Sequence, residues 1–108
     1  MIRLTVWKSK NQYRGFSFEG HAGYAPEGED IICAAVSALA LNTVNSIEVF
    51  TDDFFEQELS EDGGYLRMAF RGSVSEKTSL LMDSLLLGIT NIQAEYGSEY
   101  ITLTYEEV

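Results

Sequence analysis

From Met1 to Ser9 the apolar residues alternate with others, Ile2, Leu4 and Val6 on one face and Arg3, Thr5 and Trp7 on the other. A period of two predicts a half-buried strand. The polar cluster Lys8-Ser9-Lys10-Asn11 predicts a turn, and Gln12 to Glu19 a second strand, with Arg14, Phe16 and Phe18 on one side and Tyr13, Gly15 and Ser17 on the other. The two form a hairpin. The period then changes: Asp30 precedes an apolar run, Ile31 to about Val49, with no charged residue before Glu48, which predicts a helix without an ordinary solvated face. A sheet hides one stripe of such a helix, and a second helix or a subunit partner must hide the rest. Asn42, Asn45 and Ser46 mark the wetter side of its second half.

Thr51-Asp52-Asp53 ends this helix, and Phe54 to Ser60 with Tyr65 to Gly72 predicts a second hairpin about the turn Glu61-Asp62-Gly63-Gly64. Ser73-Val74-Ser75-Glu76 resembles a capping box before a second helix to about Gln93, whose apolar stripe is Leu81, Met82, Leu85, Leu86, Ile89 and Ile92. Gly88 interrupts that helix and invites close packing against the first, although a tolerated defect reads the same way. Tyr100 to Tyr105 alternates as a last strand, with Glu106, Glu107 and Val108 as a tail. The order ββαββαβ predicts an α+β fold: a single two-layer domain over residues 1–108, one mostly antiparallel sheet with two helices packed on it. Phe54 and Phe55 fit either the core or a groove for an aromatic ligand.

Composition narrows the setting. Seventeen acidic side chains against seven basic give a formal net charge of -10, which repels phosphate backbones and favours a basic protein partner over nucleic acid. One cysteine excludes an intramolecular disulfide, and Met1 to Gly15 carries Arg3, Lys8, Lys10 and Arg14 with no apolar signal-peptide core. The longest weakly polar run, Ile31 to Leu41, falls short of the ~20 residues that span a bilayer. A cytoplasmic protein without a membrane segment is the expectation.

The candidate chemistry lies between Gly20 and Leu39, which hold the single histidine, His21, and the single cysteine, Cys33. With Asp30 as N-cap, Ile31, Ile32 and Cys33 take positions N1, N2 and N3, where free N–H groups and the helix dipole favour an anion. The dipole supplies about 0.3 to 1 kcal/mol and rarely ~2, so on a scale of about 1.36 kcal/mol per pKa unit it moves a thiol by about one unit. Asp30 and the net charge oppose even that. A reactive thiolate therefore needs a cation close by, and His21 is the available one. A lone cysteine on an apolar helix is commonly a small buried hydrophobe, and a histidine beside glycines can be a turn residue. The residues alone leave both readings open. Acyl transfer or peroxide sensing would use the same thiol, but sensing usually needs a resolving cysteine. A zinc site lacks two ligands at any recognisable spacing, so no metal or cofactor is expected. For the oxyanion of a peptidase, the N–H of Cys33 and one from Glu27 to Glu29 are candidate donors.

The string GHAGYA followed by Gly28-x-Asp30-x-x-Cys33-Ala34-Ala35-x-Ser37-Ala38-Leu39 closely resembles the signature of the ribosomal-processing cysteine protease Prp family. Element order, chain length and acidity resemble it too. The resemblance implies a cysteine endopeptidase that removes the N-terminal extension of a bacterial large-subunit ribosomal protein, number twenty-seven, cutting after an aromatic pair. It implies His21 and Cys33 as the catalytic residues, Asp30 and Ser37 as supporting ones, a homodimer, and a mobile substrate loop. Within that loop Gly23 and Gly28 flank Tyr24 and Pro26 as possible hinges. Asp30 can cap the helix or orient His21. Ser37, one turn after Cys33 on the same face, can hydrogen-bond the thiolate or the Cys33 carbonyl. The alternative is a non-catalytic acidic dimeric adaptor that grips a basic ribosomal client, with Cys33 as packing.

Overall fold

The computed structural model describes residues 1–26 and 30–108. The chain runs β1 (Ile2–Ser9), β2 (Gln12–Glu19), α1 (Ile31–Phe50), β3 (Phe55–Leu59), β4 (Tyr65–Phe70), α2 (Glu76–Tyr96) and β5 (Ile101–Glu107). This is the ββαββαβ order read from the periodicity. The strands form one sheet in the order β3-β4-β2-β1-β5, antiparallel except where β5 pairs parallel with β1.

One sheet face carries Ile2, Leu4 and Val6 of β1, Phe16 and Phe18 of β2, Leu66, Met68 and Phe70 of β4, and Ile101 of β5, all buried in one core with the helices. From α1 the buried positions are Ile32, Val36, Ala40, Thr43, Val44 and Ile47, one stripe of a 3.6-residue period. The helices meet where Gly88 faces Leu39: a Cβ at 88 would lie 2.9 Å from Leu39 Cδ1, so the interruption is a point of close packing. With Asn42 to Phe50 included, α1 has 20 residues and an 18-residue stretch of mean hydropathy 1.5, long and apolar enough to cross a membrane. The core helix of a soluble protein meets the same criterion.

Four local expectations shift. Lys8 pairs with Tyr13 and Trp7 with Gly15, so a β-bulge at Arg14 swings Tyr13 onto the core face instead of the opposite one. There the Tyr13 hydroxyl donates to Asp83 of α2. Burial, and next the Asp83 carboxylate, push this phenol well above its usual range. The cap of α2 is Ser75, whose side chain accepts from Thr78 N–H, in place of a Ser73–Glu76 box. Asp53 fixes Ser75 there, accepting from its N–H at 2.9 Å and its hydroxyl at 2.7 Å. The second helix runs three residues beyond Gln93, to Tyr96, before Gly97 ends it. Glu106 and Glu107 are strand and not tail, because the parallel ladder pairs them with Trp7 and Lys8; Glu106 also accepts from Trp7 Nε1 at 3.0 Å.

Candidate active site

Sheet pairing delivers the histidine. β2 and β4 pair up to Glu19 and Tyr65, and Gly20 N–H extends the ladder by donating to the Gly64 carbonyl at 2.8 Å. His21 thus leaves the sheet beside the β3–β4 turn. Gly20 has φ 96° and would bring a Cβ within 2.5 Å of the Met1 carbonyl oxygen, so only glycine suits this corner. The Met1 amine donates to the His21 carbonyl.

Helix capping delivers the cysteine. Asp30 is extended at φ -81°, and its Oδ1 accepts from the N–H groups of Ile32 and Cys33 at 3.0 Å each. Its Oδ2 accepts from Tyr24 N–H at 3.1 Å. Asp30 is therefore the N-cap and also ties the segment after His21 to the helix start; among the described residues it makes no bond to the imidazole. Burial works against this carboxylate's charge, but the N–H groups of Cys33, Tyr24 and Ile32 outweigh it and hold the group below its usual range.

Cys33 sits at N3, half-buried, and its Sγ accepts from Ala22 N–H at 3.1 Å. His21 and Cys33 share no hydrogen bond. Burial raises the thiol above its ordinary value; Ala22 N–H pulls it down, and the Asp30 charge pushes it up again. Burial and the Asp30 charge together hold the thiol above its ordinary range. The Cys33 N–H is occupied by Asp30 Oδ1, so it is not a free oxyanion donor in this state. The other donor considered lies within Glu27 to Glu29, outside the described residues.

A cavity of about 450 Å³ joins the two side chains. His21, Gly23, Asp30, Cys33 and Ser37 all line it, so most of the residues singled out in the sequence converge. Ser37 is exposed to the cavity and bonds neither the thiol nor the Cys33 carbonyl. Tyr24 and Pro26 do not line the cavity: Tyr24 stacks edge-on against Tyr96 and Tyr100, with ring centroids 5.7 and 5.3 Å apart, and Pro26 is exposed. Gly28 lies outside the described residues. Phe54 is exposed and Phe55 packs on the core; neither lines this cavity.

The sequence reading missed Leu41, Leu59, Asp62 and Gly64. Leu41 and Leu59 are exposed large apolar side chains on the cavity wall. Asp62 and Gly64 belong to the turn whose position follows from the β2–β4 pairing. Locally the turn reads only as a turn, and the signal that leads to the site is the long-range register.

The family profile for cysteine protease Prp matches residues 1–102. The chain is 30% identical over 101 residues to the ribosomal processing cysteine protease Prp of Bacillus subtilis, covering 89% of this chain and 90% of that one. It superposes on a crystal structure of the ribosomal processing protease Prp from Staphylococcus aureus, holding a covalently linked product peptide, with TM-score 0.91, 25% identity and coverage of 98% and 100%. A protein of known structure from Streptococcus mutans is 35% identical with TM-score 0.84, covering 100% of this chain and 99% of that one. With a site that joins a cysteine at a helix start to a histidine across a peptide-sized cleft, the chain belongs to the cysteine protease Prp family and is a protein-cleaving hydrolase.

Proposed function

We propose that Cys33 and His21 are the catalytic pair of an endopeptidase that removes the N-terminal extension of a bacterial large-subunit ribosomal protein, number twenty-seven, by cutting after an aromatic pair. The observation that carries this reading is the single cavity holding His21 and Cys33 between apolar walls that include Leu41 and Leu59. Such walls suit the aromatic side chains of a substrate. The net charge of -10 favours a basic client, and the Staphylococcus aureus relative is described with a substrate peptide as well as a product.

The chemistry starts from a neutral thiol. Substrate entering the cavity excludes water and brings the imidazole to the sulfur; His21 takes the thiol proton as Sγ attacks the scissile carbonyl. The tetrahedral intermediate collapses when the imidazolium gives its proton to the leaving amine, leaving a thioester. Water, deprotonated by His21, attacks the thioester carbonyl, and the thiol leaves with the proton returned to it. Ala22 N–H, aimed at Sγ, stabilises negative charge on the sulfur. Asp30 holds the segment carrying Ala22 and Tyr24 against the helix start, and Ser37 supplies a hydroxyl in the cleft.

The enzyme works in the cytoplasm as a homodimer, away from membrane and nucleic acid. Exposed apolar side chains on both helices, Val49, Phe50, Leu80 and Leu87, support a protein partner surface. The test is to incubate the protein with a peptide carrying an aromatic pair followed by a small residue and read the products by mass spectrometry, with Cys33→Ser beside it. Cleavage after the second aromatic, absent from the variant, supports the reading. Binding without cleavage would favour the acidic adaptor.

A further inference from the structure

Cysteine peptidases commonly use a third group that orients the imidazole and favours its protonated form. Asp30, the group the sequence suggests, spends both oxygens on backbone N–H groups. The β3–β4 turn presents another carboxylate. A Cβ built on Gly64 would lie 3.0 Å from His21 Nε2 and 3.2 Å from Asp62 Oδ1, so imidazole and carboxylate both border the space that glycine leaves empty.

The two glycines of this turn have different causes. Gly63 has φ 75° and nothing within 4 Å of its missing Cβ, so the turn geometry alone accounts for it. Gly64 has no such backbone requirement; its missing Cβ instead faces His21 and Asp62. Asp62 is itself held in place: Oδ1 accepts from Ser60 Oγ at 2.7 Å and Gly64 N–H at 2.9 Å. No hydrogen bond to Oδ2 is present among the described residues. Those two donors, with the attraction of the imidazole behind them, keep the carboxyl below its usual range, so it is charged wherever a thiol peptidase works.

We propose that Asp62 is the positioning residue for His21, acting on the imidazole by charge across the gap that Gly64 keeps open. The inference rests on His21 and Cys33 being the catalytic pair. Asp62 would fix the ring over the cleft before substrate arrives and stabilise the imidazolium formed when the thiol proton moves.

The experiment measures peptide cleavage against pH for the wild type, Asp62→Asn and Gly64→Ala, with His21→Ala and Cys33→Ser as controls and melting temperature for all. Asn keeps an oxygen to accept from Ser60 and Gly64, so the turn survives while the charge goes. The expected result for Asp62→Asn is a kcat lower by about tenfold, with KM within about twofold. Among the described residues, the titratable groups that share the cavity wall with the imidazole are Asp30, Cys33 and Asp62, and the Met1 amine lies at the His21 carbonyl. Removing one negative charge there weakens proton binding at the site, so the pH–rate bell of Asp62→Asn moves to lower pH. Gly64→Ala keeps the charge but crowds a methyl against both ring and carboxylate, and its kcat falls severalfold. Wild-type kcat and an unmoved bell in both variants would overturn the inference, as would losses confined to KM and melting temperature. Cleavage surviving in His21→Ala or Cys33→Ser would instead overturn the catalytic pair itself.

Discussion

The two helices of this protein begin in the same way and end up with different uses. At the start of α1 the cap is Asp30 and the N3 residue is Cys33; at the start of α2 the cap is Ser75 and the N3 residue is Thr78. Each N-terminus pairs a carboxylate with a small polar side chain at N3. At α2 the set closes on itself: Thr78, fully buried, donates its hydroxyl to Asp53 Oδ2 at 2.5 Å, and Ser75 brings two more donors to the same oxygen. At α1 the carboxylate accepts from the backbone N–H groups of Tyr24, Ile32 and Cys33, and the N3 side chain faces a cavity that holds a histidine. Capping explains both helix starts, and only the exposure of the N3 group separates a structural knot from a site.

This contrast predicts separable losses. The largest is catalytic: Cys33→Ser or His21→Ala lowers peptide cleavage by about a thousandfold or more with the melting temperature nearly unchanged. Comparable cleavage by either variant would erase the functional half of the comparison. Next is Asp53→Ala, which strands the Ser75 and Thr78 hydroxyls and costs about 2 kcal/mol in urea unfolding, while kcat at a permissive temperature stays at the wild-type level. If that variant lost activity without losing stability, α2 would not be the purely structural end.

Acid offers a smaller effect common to both ends. Asp30 and Asp53 are each held below the ordinary carboxylate range; burial opposes this in both, and hydrogen bonds to Cys33, Tyr24 and Ile32 or to Thr78 and Ser75 overcome it. A depressed folded pKa contributes stability that is complete above the unfolded value of about 3.9 and is lost as pH falls through the folded value. The urea midpoint should therefore hold from neutral pH down to about 4 and drop below it. Asp53→Asn should flatten that drop, and an unchanged slope would remove Asp53 from the account.

How much of this was written locally in the chain differs between the same regions. The alternation of Ile2, Leu4 and Val6, the Glu61–Gly64 turn and the Asp30 cap depend on neighbours in sequence, and each appears where the periodicity and capping chemistry put it. The candidate residues His21, Asp30, Cys33 and Ser37 converge on one cavity because they flank one strand-loop-helix unit. What the pattern did not reveal depends on pairing between distant segments. The bulge at Arg14 that turns Tyr13 inward, the extension of β5 through Glu107 beside β1, and the approach of Asp62 to His21 across β2 and β4 all need the register of the sheet. The state of the thiol belongs to this second group. A helix start suggests activation, but burial of Cys33 and the charge of Asp30 act the other way, and their balance is set by three-dimensional packing.

The central claim is that the α1 cap holds a nucleophile that is protonated until substrate arrives. The most direct measurement is the rate of iodoacetamide alkylation of Cys33 against pH, read by intact mass, for the wild type and Asp30→Asn, which keeps a capping oxygen but removes the charge. The expected wild-type thiol reacts more slowly than a free cysteine at neutral pH and gains rate only toward alkaline pH, and Asp30→Asn moves that rise to lower pH. A wild-type Cys33 already alkylated faster than a free thiol at neutral pH, with no response to Asp30→Asn, would contradict it.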